Sequence, residues 1–368
     1  MRTTRHLLGI SGGKDSAALA IYMKTKYPEI EMEYYTSDTG RELKETYQLI
    51  DNLEVFLGKK IIRLAAAEDS PELPFDHFLK MYGGFLPSSN ARWCTKKLKL
   101  DPFEDFVNND PVISYVGIRG DEAREGYISR KQNIQSIFPF RSNIWSEDVI
   151  SKALSNENIN VLLIKCEQSI EKDEQLLKFK NVISVPLSSQ YNQIQKLNDL
   201  LNCGIKEFNK LIFMFLKATD YPLSREENYQ LLDNEDNLIR SDIFKILETS
   251  GVGIPEYYKA VPFEVNGKQA VYSRSRSGCF FCFYQQKIEW VWLYEQHPNL
   301  YGEAMGYEKG GYTWMQDESL TNLIKPDRII RIKEDYIKRT NRAQNSKSPL
   351  LLDILSDSDG EGCASCFI

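Results

Sequence analysis

Apolar and polar positions follow two rhythms along the first third of the chain. Residues 6–10 are a short apolar run ending at a glycine-rich turn, and residues 15–23 carry apolar side chains at helical spacing. Residues 31–38 read as a second strand, 43–57 as a helix, 60–64 as a third strand and 112–118 as a further strand. Strands alternating with helices predict an α/β fold. The expected form is a parallel twisted sheet with right-handed crossovers and helices on both faces. Between the third and later strands, a helix is expected at 75–81, then a break at Gly83-Gly84. A second helix is expected from near Thr95 to Pro102.

The pattern changes after Trp145. Residues 160–166 and 181–185 read as two more strands, and long amphipathic helices follow from about 193 to 216. The chain thus divides into a first α/β part at 1–150, an inserted α/β segment or small subdomain at 151–240, and a mainly helical part at 241–344. An acidic, flexible tail follows at 345–368. The insertion carries no motif.

Composition narrows the class. Of 368 residues, 42% are hydrophobic and 27% charged, the proportions of a soluble globular protein with a sizeable core. No apolar run reaches membrane-spanning length, and the first motif begins too early for a cleaved signal peptide. A cytoplasmic location is expected. The net charge of −6 excludes a uniformly basic nucleic-acid binder, although local patches remain open. Seven cysteines, an odd number, argue against a disulfide framework and for reduced thiols with metal, cluster or redox roles.

Ser11-Gly12-Gly13-Lys14-Asp15-Ser16 joins the first strand to the first helix. The glycines admit positive φ and close backbone approach, so N–H groups at a helix N-terminus can face a phosphate. Lys14 adds a point charge, and Ser11 and Ser16 add hydroxyls. Asp15 suits a phosphate site only if it holds a divalent cation or caps the helix. The Gly-Lys-Ser/Thr ending of a Walker loop is absent. Asp38, at the end of the second strand, is placed either for a nucleotide or Mg²⁺, or to cap the following helix. Arg119 and Arg124 flank Asp121 and Glu122, and suit either bidentate phosphate or sulfate recognition or a surface ion-pair cluster. Only three histidines occur, which gives little support to a histidine-based mechanism.

Cys279 and Cys282 form one Cys-x-x-Cys pair, and Cys363 and Cys366 another at the end of the chain. Thiolates so spaced can share a metal or cluster, but the pairs stand too far apart for a compact zinc module. Iron–sulfur, zinc and a redox or inert dithiol all remain open on spacing alone. Cys166 and Cys203 read as core thiols. Residues 288–294 read as an aromatic helix, for the core or for stacking bases. Two basic segments suit either a phosphate backbone or a solvated face. One comprises Lys96, Lys97 and Lys99, the other Arg328, Arg331, Lys333, Lys338, Arg339 and Arg342.

The loop Ser-Gly-Gly-Lys-Asp-Ser resembles the PP-loop of ATP pyrophosphatases. Four other segments resemble one branch of them: Asp38-Thr39-Gly40, Cys94-Thr95 with Leu98-Lys99, Gly117-Ile118-Arg119 with Glu122 and Arg124, and Pro139 with Trp145 and Asp148-Val149. That branch holds phosphoadenosine-phosphosulfate (PAPS) reductases, the small subunit of ATP sulfurylase and DNA-phosphorothioation sulfur-transfer proteins. The resemblance covers about 1–150 and 240–310. It implies an adenine-nucleotide-α-hydrolase-like fold and ATP cleaved between its α- and β-phosphates. Ser11, Gly12, Gly13, Lys14, Asp15, Ser16 and Asp38 would bind ATP and Mg²⁺, and Lys14, Asp15, Arg119 and Arg124 would be catalytic. It also implies Cys94, Cys279 and Cys282 around a 4Fe–4S cluster, with zinc as the alternative. The relatives' further cysteine just upstream of Cys279 is missing here.

PAPS reductases usually lack an intact loop, so the resemblance favours ATP as substrate. The expected function is adenylation of an acceptor with release of pyrophosphate, serving sulfur transfer to a nucleic acid with a cysteine desulfurase as donor. Pooling Arg92, Lys96, Lys97, Lys99, Arg274 and Arg276 beside the cysteines would suit that polyanion. The alternatives are thiol-dependent PAPS reduction, sulfate adenylation, or nucleotide binding without turnover.

Overall fold

The computed structural model describes residues 3–122, 129 and 131–345, with side chains as far as 342. Five strands, β1 (Arg5–Gly9), β2 (Met32–Asp38), β3 (Ile61–Ala65), β4 (Val112–Tyr115) and β5 (Ile134–Ile137), form one parallel sheet in the order β3-β2-β1-β4-β5. Alternate strand residues serve opposite faces, as the pleat requires. Leu8, Tyr34, Ile61, Ile113 and Ile137 join one core with α1 (Lys14–Lys26) and α2 (Lys44–Leu57). Leu7, Tyr35, Leu64, Val112 and Ile134 join another with Phe103 and Val107. The expected parallel α/β sheet with helices on both faces is the observed fold. The order of strands reverses between β1 and β4, so a crevice opens where their C-terminal ends diverge.

Burial explains the composition of α1. Its residues from Lys14 to Met23 are all buried, which suits the small and apolar run Ala-Ala-Leu-Ala-Ile. Each fully buried Leu or Ile contributes about 1.5–3 kcal/mol. On β1, the His6 ring nitrogen Nδ1 lies 2.8 Å from the Tyr115 hydroxyl. Burial holds the His6 imidazole below its ordinary value, against the opposing fields of Glu226 and Glu33. The folded state therefore binds fewer protons than the unfolded state, and stability falls as pH drops through the usual histidine range near about 6.5. His6→Gln should reduce the loss of melting temperature between pH 7.5 and 5.5. Equal losses in the two proteins would remove His6 from the acid response.

Three expectations change. Residues 160–166 and 181–185 lie in helices, α7 (Ile159–Ser169) and α8 (Asp173–Ser184), so the described part of the insertion is helical. A short apolar run fits either element. Here Leu162 with Cys166 and Phe179 with Ile183 each stand four apart and buried, the spacing of one helix face. Their core is continuous with that of α1 and the sheet, through α10 (Ile205–Leu216). Pro102 does not end its helix. α4 (Trp93–Thr95) passes through a π-turn at Lys96–Leu100 into α5 (Asp101–Val107), where Pro102 occupies the first turn and needs no N–H partner. The C-terminal part contains a hairpin, β6 (Val261–Val265) and β7 (Lys268–Tyr272), turning at Asn266-Gly267, both at positive φ.

The hairpin, α3 (Pro74–Met81), α12 (Lys287–Gln296), α13 (Pro298–Tyr307), α14 (Leu320–Leu323) and α15 (Pro326–Asn345) build a second core. Trp290 and Trp292 are buried within it, so the aromatic helix serves packing and not base stacking. No helix among the described residues is long and apolar enough to cross a membrane.

Candidate nucleotide site and cysteine loop

The phosphate loop leaves β1 at the strand-order reversal. Gly12 has φ +73°, and a Cβ there would overlap Thr46 Cγ2 of α2. Gly13 has ordinary φ, but its Cβ would meet Ser277 Oγ at 2.7 Å. Both glycines are therefore required by neighbours as well as by backbone shape. Ser16 Oγ accepts from Ser11 N at 3.1 Å and lies 3.0 Å from Ser11 Oγ, which closes the loop on itself. Gly12→Ala should lose nucleotide affinity and also about 1–3 kcal/mol of stability from strain and overlap. Adding Thr46→Ser, which removes the colliding methyl, should recover part of the stability. A fully stable Gly12→Ala protein in urea unfolding would count against this packing.

Lys14 and Asp15 open α1, both buried. Lys14 Nζ lies 3.0 Å from Asp15 Oδ2, and Arg119 Nη1 lies 2.8 Å from Asp15 Oδ1. Arg119 reaches the loop because Gly117 passes close beneath it, where a Cβ would come within 2.9 Å of the Asp15 carbonyl oxygen. Arg119 is completely buried. It also pairs with Asp121 at 2.9 Å and with Glu122 at 2.7 Å. Burial alone would lower its proton affinity, but the carboxylates of Asp15, Glu122 and Asp121 outweigh it and fix the charge. This is an interior ion network and not a surface cluster. Arg119 orients Asp15, and Asp15 in turn balances Lys14. Arg124 lies outside the described residues.

Asp38 ends β2 and shapes the following turn. Its Oδ1 accepts from Gly40 N at 2.8 Å and from Tyr47 OH at 3.0 Å. The residue capping α2 is Leu43, so Asp38 is not the helix cap.

The C-terminal part reaches over this edge of the sheet. Tyr257 donates its hydroxyl to the Gly12 carbonyl at 2.8 Å, Lys14 N donates to Tyr258 OH at 3.3 Å, and Ser277 Oγ donates to the Ser11 carbonyl at 3.4 Å. Sequence reasoning missed all three residues. No local signal marks them, because their partners lie more than two hundred positions away.

Cys279 is zipped to the turn after β2. Phe280 N donates to the Arg41 carbonyl at 2.9 Å, Cys279 bridges Glu42, and the Cys279 sulfur lies 3.1 Å from Thr39 Oγ1. Thr39 also donates to Glu42 Oε1 at 2.6 Å. Burial, then the neighbouring Asp38, holds Glu42 above the usual carboxylate range. Burial and the Glu42 charge push the Cys279 thiol well up. Burial likewise raises Cys282, against the fields of Arg276, Arg274 and Lys99.

Cys94 packs in the same core as Cys279. Its neighbour Trp93 meets Phe75, which meets Phe281 at 4.5 Å between ring centres. Arg92 and Arg276 each lie over the Tyr284 ring, at 5.3 and 5.5 Å. Cys94 and Cys279 thus pack against the same core. Among the described residues, however, no three His, Cys, Asp or Glu side chains are grouped so as to hold a metal ion. Cys363 and Cys366 lie outside the described residues. Cys166 is a buried core thiol and Cys203 packs beside it, half-buried.

The basic segments are partly neutralised. Lys97 pairs with Asp101, Arg328 with Glu318, Lys333 with Glu295 and Lys338 with Asp335. Arg92 and Lys96 remain exposed beside the cysteine loop.

Comparison with known proteins agrees with this geometry. Residues 5–164 match the family model of the phosphoadenosine phosphosulfate reductase domain. An uncharacterised protein of Methanocaldococcus jannaschii is 32% identical over 166 residues, 41% of this chain and 32% of that protein. The chain therefore spans about a third of the length of this curated relative. The loop, the strand order and the family match together make residues 5–164 similar to the phosphoadenosine phosphosulfate reductase domain, on a parallel α/β sheet of the PP-loop kind.

Proposed function

We propose that this chain is an ATP pyrophosphatase that adenylates an acceptor and so prepares it for sulfur transfer. One observation carries the reading: an intact Ser-Gly-Gly-Lys-Asp-Ser loop at the strand-order reversal, with Lys14 and Asp15 locked in place by Arg119. An acceptor oxygen attacks the α-phosphorus, the bond to the bridging oxygen breaks, and pyrophosphate leaves as the acceptor–AMP adduct forms. Such transfer rests on positioning and charge neutralisation. Loop N–H groups and Lys14 receive the phosphates. Mg²⁺, when bound, would neutralise phosphate charge. Asp38 is the carboxylate we assign to it.

Sulfide, released from a desulfurase-borne persulfide by two electrons from an external thiol that ends as a disulfide, then attacks the adduct; the new bond to sulfur replaces the bond to oxygen, and AMP leaves with that oxygen. The placing of Cys279 and Cys282 against the turn after β2 supports a sulfur-handling role at the same sheet edge. The exposed Arg92 and Lys96 support a nucleic-acid acceptor, and a separate desulfurase would supply the sulfur. The family match supports PAPS reduction as the second reading, in which a thiol attacks an activated sulfate.

The deciding experiment follows ATP labelled at the α- or γ-phosphate, with DNA or RNA as acceptor. The expected products are pyrophosphate and an adenylated acceptor or AMP. Release of orthophosphate alone would refute the reading, and turnover of PAPS without ATP would establish the second one.

A further inference from the structure

Arg274 is 1% exposed, and its guanidinium is left largely unsatisfied. Nη2 donates to the Cys279 carbonyl at 3.2 Å, while Nε and Nη1 are buried without a hydrogen-bond partner among the described residues. The nearby buried carboxylate, Glu289, is engaged elsewhere: Oε1 accepts from Ser275 N and Oγ, and Oε2 from Gln286 N. A buried cation without a counter-charge is strongly unfavourable and calls for a cause.

The other buried cations among the described residues are each met by partners. Arg119 is met by three carboxylates, and Lys14 by Asp15. Lys196 donates to the carbonyls of Ile183 and Val185 at the end of α8. Lys333 pairs with Glu295. Arg274 alone among these five has two nitrogens unpartnered. The buried amide of Gln285, three residues after Cys282, also has neither its oxygen nor its nitrogen partnered.

The position of Arg274 is equally specific. Its backbone N donates to the Tyr257 carbonyl at 2.8 Å, and Tyr257 holds the Gly12 carbonyl. The guanidinium thus stands between the wall of the phosphate loop and the Cys279–Cys282 turn. The positive fields of Arg276, Arg274 and Lys99 all reach Cys282.

We propose that Arg274 anchors a second oxyanion subsite, distinct from the phosphate loop, which holds a tetrahedral sulfate or phosphate group against the Cys279–Cys282 turn. That the molecule bearing this group is the acceptor rests on the function proposed above. The subsite itself requires no turnover, so its failure and the failure of that function are separately measurable.

The test uses the full chain with the phosphate loop saturated by a non-hydrolysable ATP analogue. Inorganic sulfate, inorganic phosphate and a short single-stranded oligonucleotide are titrated by calorimetry and by thermal unfolding. Wild type should bind one oxyanion saturably and melt at higher temperature with it. Arg274→Gln should weaken that binding at least about tenfold, the loss of one charged hydrogen-bonding group. Arg274→Met, similar in length but uncharged, should melt in anion-free buffer no lower than wild type and should not respond to the anions. Tighter binding of the oligonucleotide places the group on a nucleic acid, and tighter binding of the inorganic ions places it on a small molecule; either supports the subsite. Three results would overturn it: no anion binding by wild type, equal binding by wild type and Arg274→Gln, or an Arg274→Met protein destabilised in anion-free buffer.

Discussion

Replacing Lys14 with Ala is expected to lower ATP-dependent pyrophosphate release by about 10²–10³-fold, the usual cost of removing one preorganised charge contact from a transition state. Lys14 opens α1 inside the phosphate loop, 3.0 Å from Asp15, with its ammonium 5.3 Å from the centre of the Tyr258 ring. The loss should fall mainly on the rate, because loop N–H groups still bind phosphate in the ground state. The fold should survive, since Asp15 keeps its contact with Arg119. Pyrophosphate release and urea unfolding, measured on the same preparation, check both halves. A variant that turns over at the wild-type rate would move the chemistry away from this loop.

Arg119→Met is expected to have the largest effect on stability, about 3–5 kcal/mol, as for other buried ion pairs broken on one side. The substitution strands the Asp15, Asp121 and Glu122 carboxylates together with no guanidinium between them. Adding Asp15→Asn should restore part of the loss, because one of the stranded charges disappears. The double-mutant cycle would then show a coupling of roughly 1 kcal/mol or more. Strict additivity would mean that Arg119 and Asp15 do not act as a unit.

The phosphate loop was legible because all its determinants lie within six consecutive residues flanked by a strand and a helix. Strands β1 to β4 were legible as apolar runs. β5 was not, because Ile134-Gln135-Ser136-Ile137 buries two polar residues and shows neither alternation nor an apolar run. The hairpin carried a usable signal in Asn266-Gly267, whose positive-φ preference marks a tight turn between strands. Residues 160–166 misled because four apolar positions in a row, Val161 to Ile164, fit a buried strand; the packing of α7 on its neighbours decides for helix. The roles of Tyr257, Tyr258 and Ser277 were beyond sequence reasoning, since a hydrogen bond across more than two hundred residues leaves no local periodicity. Arg274 was visible only as one more positive charge. Its burial, which gives it meaning, is a property of the fold.

The hydroxyl of Tyr258 stands where the Lys14 N–H finds its acceptor. A phosphate oxygen that takes this N–H does so by exchange, one acceptor for another, and not by filling a bare site. Nucleotide binding is then a competition between the ligand and the protein's own C-terminal part, and mass action links the two. Removing the competing hydroxyl, as in Tyr258→Phe, tightens the loop's hold on nucleotide while loosening the segment that carries the cysteines. Occupancy of the phosphate loop would in this way be communicated toward Cys279 and Cys282 through the Tyr258 oxygen, with no rearrangement of the sheet.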